Sequence, residues 1–254
     1  MTFATYPSLA GRVVLITGGA SGIGADIVRA FAGQGARVAF LDIRADDGAA
    51  LAAELTGSPI VPRFFACDLV DLTSLRDTIA RIETELGPVS VLVNNAANDQ
   101  RSPFEDVTED EYERMMGVNF RHVFFACQIV LAQMRALGGG SIINMSSGAW
   151  VGGVPDLEAY SSAKAAIVGL TNSLARSVGR DHIRVNALAP GMIFTERQRR
   201  LWFQDESQVA AGLARQCLQE EVTGADVAQA ALFLASDSSR MITKQMLFVN
   251  GGLR

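Results

Sequence analysis

Three side chains in the central part of the chain have the types and spacing needed for proton transfer. Tyr160 and Lys164 occupy positions i and i+4, so on a helix they lie one turn apart on the same face. Ser147 follows the apolar run 141–145, which predicts a buried strand with Ser147 at its carboxyl end. A hydroxyl at the end of a strand and a phenol–ammonium pair on the next helix can reach one small volume. The sequence therefore predicts an acid–base site.

The ionisation of Tyr160 decides whether that site works near neutral pH. A free phenol has a pKa of about 10, so a useful base needs it lowered by about two to three units, or roughly 3–4 kcal/mol. One ammonium about 5 Å away, at an effective dielectric constant near 20, supplies roughly 3 kcal/mol. Lys164 is therefore sufficient in magnitude, and no metal is required. The alternative is a core tyrosine and a surface lysine that share this spacing by chance.

A glycine-rich turn near the amino terminus predicts a phosphate site. Residues 12–17 form an apolar, β-branched run, and Gly18, Gly22 and Gly24 follow it before a helical stretch to Gln34. Glycines let the backbone approach a pyrophosphate closely, and the helix after them presents free N–H groups and a positive dipole end. The spacing differs from G-x-G-x-x-G, but the strand–turn–helix–strand context favours a dinucleotide. A tight turn without a ligand is the alternative.

Asp42 closes the second predicted strand and bears on which dinucleotide binds. A carboxylate at this position accepts both ribose hydroxyls of an adenosine and repels a 2′-phosphate. NAD is therefore favoured over NADP. Arg44, two residues further on, weakens this preference because a guanidinium there can receive the phosphate. We expect NAD as the cofactor, with partial use of NADP.

The remaining chain alternates between strands and helices, and no linker divides it. Because every strand is followed by a helix, the pattern predicts one α/β domain over residues 1–254, a Rossmann-like doubly wound sheet of seven parallel strands with helices on both faces. A charged and amide-rich insertion at about 192–222, which includes Phe203, interrupts the alternation. Strands are predicted at 12–17, 36–41, 61–66, 89–93, 141–145, 183–188 and 245–249, and helices at 45–56, 71–86, 108–137, 156–179 and 224–235.

Three polar residues near strand ends or on helix faces have two interpretations each. Asp68 contacts an adenine or serves as a helix-capping or loop carboxylate. Asn94 contacts the cofactor or bridges neighbouring strands. Asn119, on an otherwise apolar helix face, needs hydrogen-bond partners, and neighbouring backbone groups are one way to supply them.

Composition excludes several other classes of protein. A net charge of −5 gives no electrostatic footprint for nucleic acid or an anionic membrane. The three cysteines are far apart, which indicates neither a disulfide framework nor a zinc site and favours small buried side chains in a reducing compartment. No signal peptide precedes Arg12, and six glycines exclude the uncharged run 136–155 as a membrane span. A cytoplasmic protein is expected.

Taken in order, these motifs resemble the short-chain dehydrogenase/reductase family over almost the whole chain. The residues that carry the resemblance are Thr17-Gly18-x-x-x-Gly22-x-Gly24, Asn94-Asn95-Ala96, Asn119, Ser147, Tyr160-x-x-x-Lys164 and Pro190-Gly191. Ala97 departs from the glycine usual in the family. The resemblance implies a homotetramer or homodimer built on the helices at 112–137 and 156–179.

The resemblance also implies a role for each catalytic residue. Tyr160 is the general acid/base, Lys164 lowers its pKa and holds the ribose, Ser147 orients the substrate oxygen, and Asn119 anchors a proton-relay water. The predicted cofactor-contacting residues are Gly18, Ser21, Gly22, Ile23, Gly24, Asp42, Ile43, Asp68, Leu69, Asn95, Ala96, Ala97, Tyr160, Lys164, Pro190, Gly191 and Ile193.

The predicted substrate pocket is rich in hydrogen-bonding groups. Such a pocket suits a polyhydroxylated ligand better than a steroid or an acyl chain, because buried hydroxyls need partners. Solvated loop polarity is the alternative for each residue singly. The predicted substrate residues are Asn98, Asp99, Ser147, Trp150, Glu158, Tyr160 and Met192, with Asp156 nearby.

Short stretches outside the catalytic motifs are similar to bacterial sugar 1-dehydrogenases of this family. They are Tyr6-Pro7-Ser8-Leu9, Asn98-Asp99, Thr195-Glu196-Arg197-Gln198 and Arg215-Gln216-Cys217-Leu218. The similarity implies oxidation of C1 of a cyclic aldose to a lactone, with D-xylose first and L-arabinose or L-fucose next. Two alternatives stay open: an NAD(P)H-dependent ketone or 3-oxoacyl reductase, and a non-catalytic NAD-binding sensor.

Overall fold

A computed structural model describes residues 3–202 and 205–253 as an α/β fold around one sheet. The strands are β1 Val13–Thr17, β2 Arg37–Asp42, β3 Arg63–Ala66, β4 Val91–Asn94, β5 Gly140–Met145, β6 Ile183–Pro190 and β7 Met246–Val249. The helices are α1 Gly22–Gly33, α2 Ala45–Glu54, α3 Leu72–Leu86, α4 Glu109–Met116, α5 His122–Ala136, α6 Ala149–Gly152, α7 Glu158–Val178, α8 Glu196–Trp202, α9 Glu206–Leu213 and α10 Gly224–Ala235.

All seven strands pair in parallel in the order β3-β2-β1-β4-β5-β6-β7, which confirms the predicted doubly wound sheet. The chain runs outward from β1 to β3 and then returns to place β4 on the other side of β1. This reversal opens a crevice at the carboxyl ends of β1 and β4, where ligands bind in open α/β sheets. The predicted dinucleotide and acid–base residues lie at that edge.

The central strands are apolar on both faces because helices cover both faces of the sheet. Every residue of β1 is buried, as expected for a strand inside a parallel sheet. One core packs α1 and α10 against the sheet through side chains such as Phe31 and Leu232. The other packs α3, α5 and α7 on the opposite face through side chains such as Ile79 and Val130.

The prediction of a single helix at 108–137 is wrong in one respect. The structure interrupts it with a π-helical turn at Gly117–Arg121, between α4 and α5. Asn119 lies within this turn, and its side chain takes the carbonyl of Met115 (3.0 Å) as one hydrogen-bond partner. Tyr112, on α4, is 45% exposed. Such insertions in a helix often accompany functional sites.

The predicted insertion forms two short helices, α8 and α9, beyond the edge of the sheet. A parallel bridge between Ile193 and Val222 brings the two ends of the insertion together. Phe203, which the sequence analysis placed in this segment, lies outside the described residues. The expectation that all three cysteines are buried is also wrong, because Cys217 is exposed while Cys67 and Cys127 are buried.

One helical run among the described residues, Glu109–Ala136, passes a test for membrane spans on length and composition alone. Its apolar side chains face the protein core: Val123, Ala126 and Val130 are fully buried against the sheet. The run therefore packs as a core helix does.

Candidate active site

The glycine turn between β1 and α1 has a backbone that other residues do not readily adopt. Gly18 and Gly22 have φ values of +66° and +54°, in the left-handed region that favours glycine. A Cβ on Gly24 would lie 1.9 Å from the carbonyl oxygen of Gly18. The turn is therefore tight enough to bring backbone groups against a pyrophosphate.

The start of α1 is free to receive an anion. Ser21 precedes the helix, and its hydroxyl makes no capping hydrogen bond. The first turn of α1 carries no acidic side chain, so the positive end of the helix dipole is not neutralised. Thr195 lies across the turn, with its methyl group 3.6 Å from where a Cβ of Gly22 would stand. This cradle fits the phosphates of a dinucleotide.

Asp42 ends β2 beside the glycine turn, as predicted. Its two carboxylate oxygens accept hydrogen bonds from the N–H groups of Ala20 (3.0 Å) and Arg44 (3.0 Å), which fix the side chain in place. Arg44 turns its guanidinium to Asp47 in an ion pair. Ile43, predicted as a cofactor contact, is 70% exposed at the same edge.

The ends of β1 and β4 are held together by side chains. Asn95 donates its amide to the carbonyls of Thr17 (3.2 Å) and Gly18 (2.9 Å). The Thr17 hydroxyl accepts from the N–H groups of Asn95 (3.0 Å) and Ala96 (3.2 Å). Asn95 therefore shapes the glycine turn, whatever else it contacts.

The structure decides between the two interpretations of Asn94 but not between those of Asp68. Asn94 is buried and donates its amide to the side chain of Asn144 on β5 (2.8 Å), so the strand-bridging interpretation is confirmed. Asp68 accepts from the N–H of Val70 (2.9 Å) in the loop before α3, and its predicted adenine contact stays a prediction. Asp71, not Asp68, caps α3.

Other predicted cofactor residues line the same edge at different depths. Leu69 is 7% and Ile193 is 5% exposed, so both are largely core residues. Pro190 ends β6 and accepts from the N–H of Gly148 (3.0 Å), which connects the ends of β5 and β6. A Cβ on Gly191 would lie 2.5 Å from the Cβ of Asn250, so only glycine fits there.

Tyr160, Lys164 and Ser147 meet as the spacing predicts. The Lys164 Nζ lies 5.5 Å from the centroid of the Tyr160 ring, so both side chains share one face of α7. Lys164 is 1% exposed and donates from Nζ to the carbonyl of Met145 at the end of β5 (2.8 Å). The Ser147 hydroxyl lies close enough to the phenol of Tyr160 to influence its ionisation.

Burial dominates the ionisation of this pair. Burial raises the pKa of Tyr160 to about 12, although the nearby Ser147 hydroxyl acts to lower it. It also lowers the pKa of Lys164 to about 7. Both shifts favour the neutral form of each group. The attraction between the ammonium and the phenolate, from which the sequence predicts a lowered pKa for Tyr160, is therefore outweighed by the cost of burying the charged groups.

Asn119 is completely buried and its amide is satisfied by backbone. It accepts from the N–H of Asn98 (2.9 Å) and donates to the carbonyls of Asn98 (2.9 Å) and Met115 (3.0 Å). The backbone-satisfied interpretation is therefore present in the structure. It places Asn119 as the anchor of the loop that follows β4, and its role with a relay water stays a prediction.

The predicted substrate residues do not all converge. Asp99 accepts from Arg197 and from Gln198 (2.6 Å) on α8. Trp150 donates its indole N–H to Ser146 (3.2 Å) and so braces the loop after β5.

Glu158 has a buried carboxylate oxygen with no hydrogen-bond partner among the described residues. Glu158 and Tyr160 line one small cavity, and Met192 is half-buried at the far edge, after β6.

Arg197 and Gln198 belong to a motif similar to that of sugar dehydrogenases, but the sequence predicts no site role for them. Nothing in their local pattern indicates a partner almost a hundred residues away in the chain. Ser146, which donates to the carbonyl of Lys164 (2.8 Å), was also missed because its neighbour Ser147 matches the family motif.

Comparison with known proteins agrees with this geometry. A family described as "Enoyl-(Acyl carrier protein) reductase" matches residues 18–254. A solved short-chain type dehydrogenase/reductase from Mycobacterium ulcerans superposes with a TM-score of 0.91 at 25% identity, covering 96% of this chain and 90% of the other. The chain belongs to the short-chain dehydrogenase/reductase family.

Two relatives match the chain almost from end to end. A Rhizobium meliloti protein named Probable galactose dehydrogenase is 49% identical over 98% of this chain and 97% of its own length. D-xylose 1-dehydrogenase of Caulobacter vibrioides is 45% identical over 100% of both chains.

A blue fluorescent protein from a metagenomic library, solved with NADPH, has a TM-score of 0.88 and 35% identity, covering 96% of this chain and 98% of its own. The chain is thus an oxidoreductase that uses a nicotinamide cofactor.

Proposed function

We propose that this protein oxidises C1 of a cyclic aldose to the lactone, with NAD as the hydride acceptor and Tyr160 as the base. The observation that carries the reaction type is the contact of Tyr160, Lys164 and Ser147 at the crevice edge of the sheet. The substrate class is supported by the two full-length relatives named for galactose and D-xylose. The polar side chains around Asp99 and Glu158 suit a polyhydroxylated ligand.

The proton of the substrate hydroxyl is handled by residues of this chain. Ser147 and Tyr160 share the oxygen of the C1 hydroxyl, and Tyr160 takes its proton as the C–O bond becomes a carbonyl. Lys164, held by the Met145 carbonyl, stabilises the phenolate through its charge. A bound oxidised nicotinamide would supply the acceptor for the C1 hydride and a positive charge near the phenol.

The preference for NAD over NADP is part of the proposal. Asp42 is held by two backbone N–H groups, so its charge is fixed where an adenosine ribose would lie. Arg44, the residue that weakened the prediction, has its guanidinium paired with Asp47. A 2′-phosphate would therefore face an oriented carboxylate and an arginine that must first leave its partner.

A panel of aldoses scored for reduced cofactor, with NAD and NADP in parallel, tests the function. We expect turnover of D-xylose or D-galactose and a higher kcat/KM for NAD. Tyr160→Phe should reduce kcat by about 10²-fold or more, because the base is lost. Tyr112→Phe is the matched control, since Tyr112 is 45% exposed and does not line the cavity beside Tyr160, and it should retain full activity.

The same panel separates the rival functions. Oxidation of no aldose, together with NADPH-dependent reduction of a 3-oxoacyl thioester, would identify a reductase. Cofactor binding with no turnover of any alcohol or ketone would identify a sensor. Equal or better use of NADP would remove the role given to Asp42.

A further inference from the structure

One polar contact joins two segments of the crevice that are distant in the chain. Asp99 lies in the loop after β4, and Arg197 and Gln198 lie on the first turn of α8. The Asp99 carboxylate accepts from the Arg197 guanidinium on one oxygen and from the Gln198 amide on the other (2.6 Å). Both carboxylate oxygens are thus engaged, and the Asp99 side chain is only 21% exposed. A charge-assisted pair of this kind has a defined geometry.

Hydrogen bonds on both sides of Asp99 fix the loop that carries it. The backbone N–H and carbonyl of Asn98 both bond to the buried side chain of Asn119 at 2.9 Å. On the other side of Asp99, the N–H of Ser102 donates to the carbonyl of Asp156 (3.1 Å). The backbone on both sides of Asp99 is therefore fixed, which limits where its carboxylate can lie.

The α8 side of the contact is also organised. Gln198 donates its backbone N–H to the Thr195 hydroxyl (3.2 Å), which begins the helix. Arg199 forms an ion pair with Glu221 and stacks on Phe194, 5.4 Å from the ring centroid. Arg199 thus holds the base of the insertion, while Arg197 and Gln198 reach across to the loop after β4.

The contact lies within electrostatic reach of the catalytic phenol. The charge of Asp99 raises the pKa of Tyr160, and the charge of Arg197 lowers it, in addition to the larger effect of burial. Asp99 also raises the pKa of Lys164. Polar groups from several elements face Tyr160 or line the small cavity beside it: Lys164 and Glu158 from α7, Asp156 from the segment before α7, Ser147 from the end of β5, Asp99, Gln100 and Ser102 from the loop after β4, Arg197 from α8 and Glu111 from α4.

We propose that Asp99 and Arg197 form a positioning pair that holds α8 over the crevice and, through its balance of charge, sets the pH range in which Tyr160 acts as base. The proposal rests on the proposed function only in taking Tyr160 as the base. While the pair is intact, the two charges largely offset each other at the phenol. Removal of one member leaves the other charge unbalanced, and the two single losses act in opposite directions.

The pH profile of kcat/KM tests this with three variants. Asp99→Asn should move the acid limb to lower pH by roughly half a unit or more, since one partly screened negative charge is removed. Arg197→Met should move it to higher pH by a similar amount. The double variant should return the limb close to that of the wild type, with KM raised and kcat less affected, because α8 is no longer held.

Arg215→Met is the matched control. It removes an exposed arginine from the same insertion but leaves Asp99, its two donors and the Arg199–Glu221 pair in place, so the limb should stay where it is in the wild type. A limb that moves in the same direction in both single variants, or in neither, overturns the proposal. Arg197 is 46% exposed, so its variant folds even if the Asp99 variant does not, and the Arg197→Met shift alone then decides.

A second readout does not depend on the substrate. Tyr6, Tyr112 and Tyr160 are the three tyrosines of the chain. In a Tyr6→Phe, Tyr112→Phe background with NAD⁺ bound, the phenolate absorbance reports the ionisation of Tyr160 alone. We expect the same two opposite shifts. They would appear even if the aldose panel failed, so loss of the proposed function and loss of this proposal are distinguishable.

Discussion

At the scale of single residues, His122 shows how burial controls charge near Lys164. Its ring is fully buried, and neither ring nitrogen has a hydrogen-bond partner within the described part of the chain. The carbonyls of Gly117 and Val118 are near enough to favour a charged ring but not in hydrogen-bonding geometry. Burial first, and then the charge of Lys164, lower the pKa of His122 to about 3. The ring is therefore neutral at physiological pH.

This shift predicts a specific loss of stability in acid. The unfolded chain binds a proton at His122 near pH 6.5, whereas the folded chain does so only near pH 3. Stability from this residue is fully present above about pH 6.5 and falls by up to about 1.4 kcal/mol per pH unit as the pH drops toward 3. His122→Phe should flatten this slope in urea unfolding measured between these pH values.

The other histidine of the chain provides the control for that measurement. His182 is exposed and has a φ of +57°, a conformation that asparagine tolerates. His182→Asn should keep the acid slope of the wild type. An unchanged slope in His122→Phe would show that other groups govern acid unfolding.

At the scale of secondary-structure elements, the conformation of the turn between β1 and α1 depends more on Gly18 than on the other residues of the turn. Gly18 combines a φ of +66° with a close approach to the β4 loop, where an added Cβ would stand 2.6 Å from the Cα of Ala96. The neighbour is backbone and cannot turn aside. The sheet edge and the phosphate cradle are therefore assembled through the same contact.

Gly18→Ala should therefore destabilise the protein by about 1–3 kcal/mol and weaken cofactor binding strongly. Both effects follow from displacement of the β4 loop, and they are measured by urea unfolding and by titration with NADH fluorescence. Gly33→Ala is the contrasting substitution. Gly33 has an ordinary φ and nothing within 4 Å of its added Cβ, so alanine should stabilise α1 by about 0.5–1 kcal/mol. Equal effects of the two substitutions would contradict this account of the turn.

At the scale of the whole molecule, large apolar side chains remain on the outer faces of α4 and α5. Tyr112, Phe124 and Leu137 are each more than 40% exposed, and Phe124 packs edge-on against Phe125 with ring centroids 5.4 Å apart. Exposed aromatic side chains on neighbouring turns favour an interface between subunits. They lie on one of the two helices on which the predicted dimer or tetramer is built.

Phe124→Asp should shift the protein toward a monomer, because it places a charge at the centre of that face. Sedimentation velocity at micromolar concentration measures the change. Phe104→Asp is the matched control, since Phe104 is 70% exposed but lies in the loop before α4. A wild-type protein that sediments as a monomer would remove the predicted assembly altogether.

Much of this protein followed from its sequence because the signals are local. Strands buried on both faces must be apolar runs, and the partly exposed edge strands β3 and β7 are also rich in apolar residues, so the seven strands were predicted to within about two residues. Tyr160 and Lys164 share a face through helical geometry alone, and parallel strands bring their carboxyl ends to one edge. That geometry predicts Gly18, Asp42 and Ser147 near the same crevice from the sequence alone.

Tertiary structure alone decided what depends on distant partners and on burial. The local sequence does not predict three of these features: the π-helical turn around Asn119, the hydrogen bond from Asn94 to Asn144, and the contact of Asp99 with α8. The opposite shifts of Tyr160 and Lys164 likewise come from exclusion of water, which only packing determines. Sequence specified which groups are chemically able to transfer a proton, and the packed fold determined how far their pKa values are shifted.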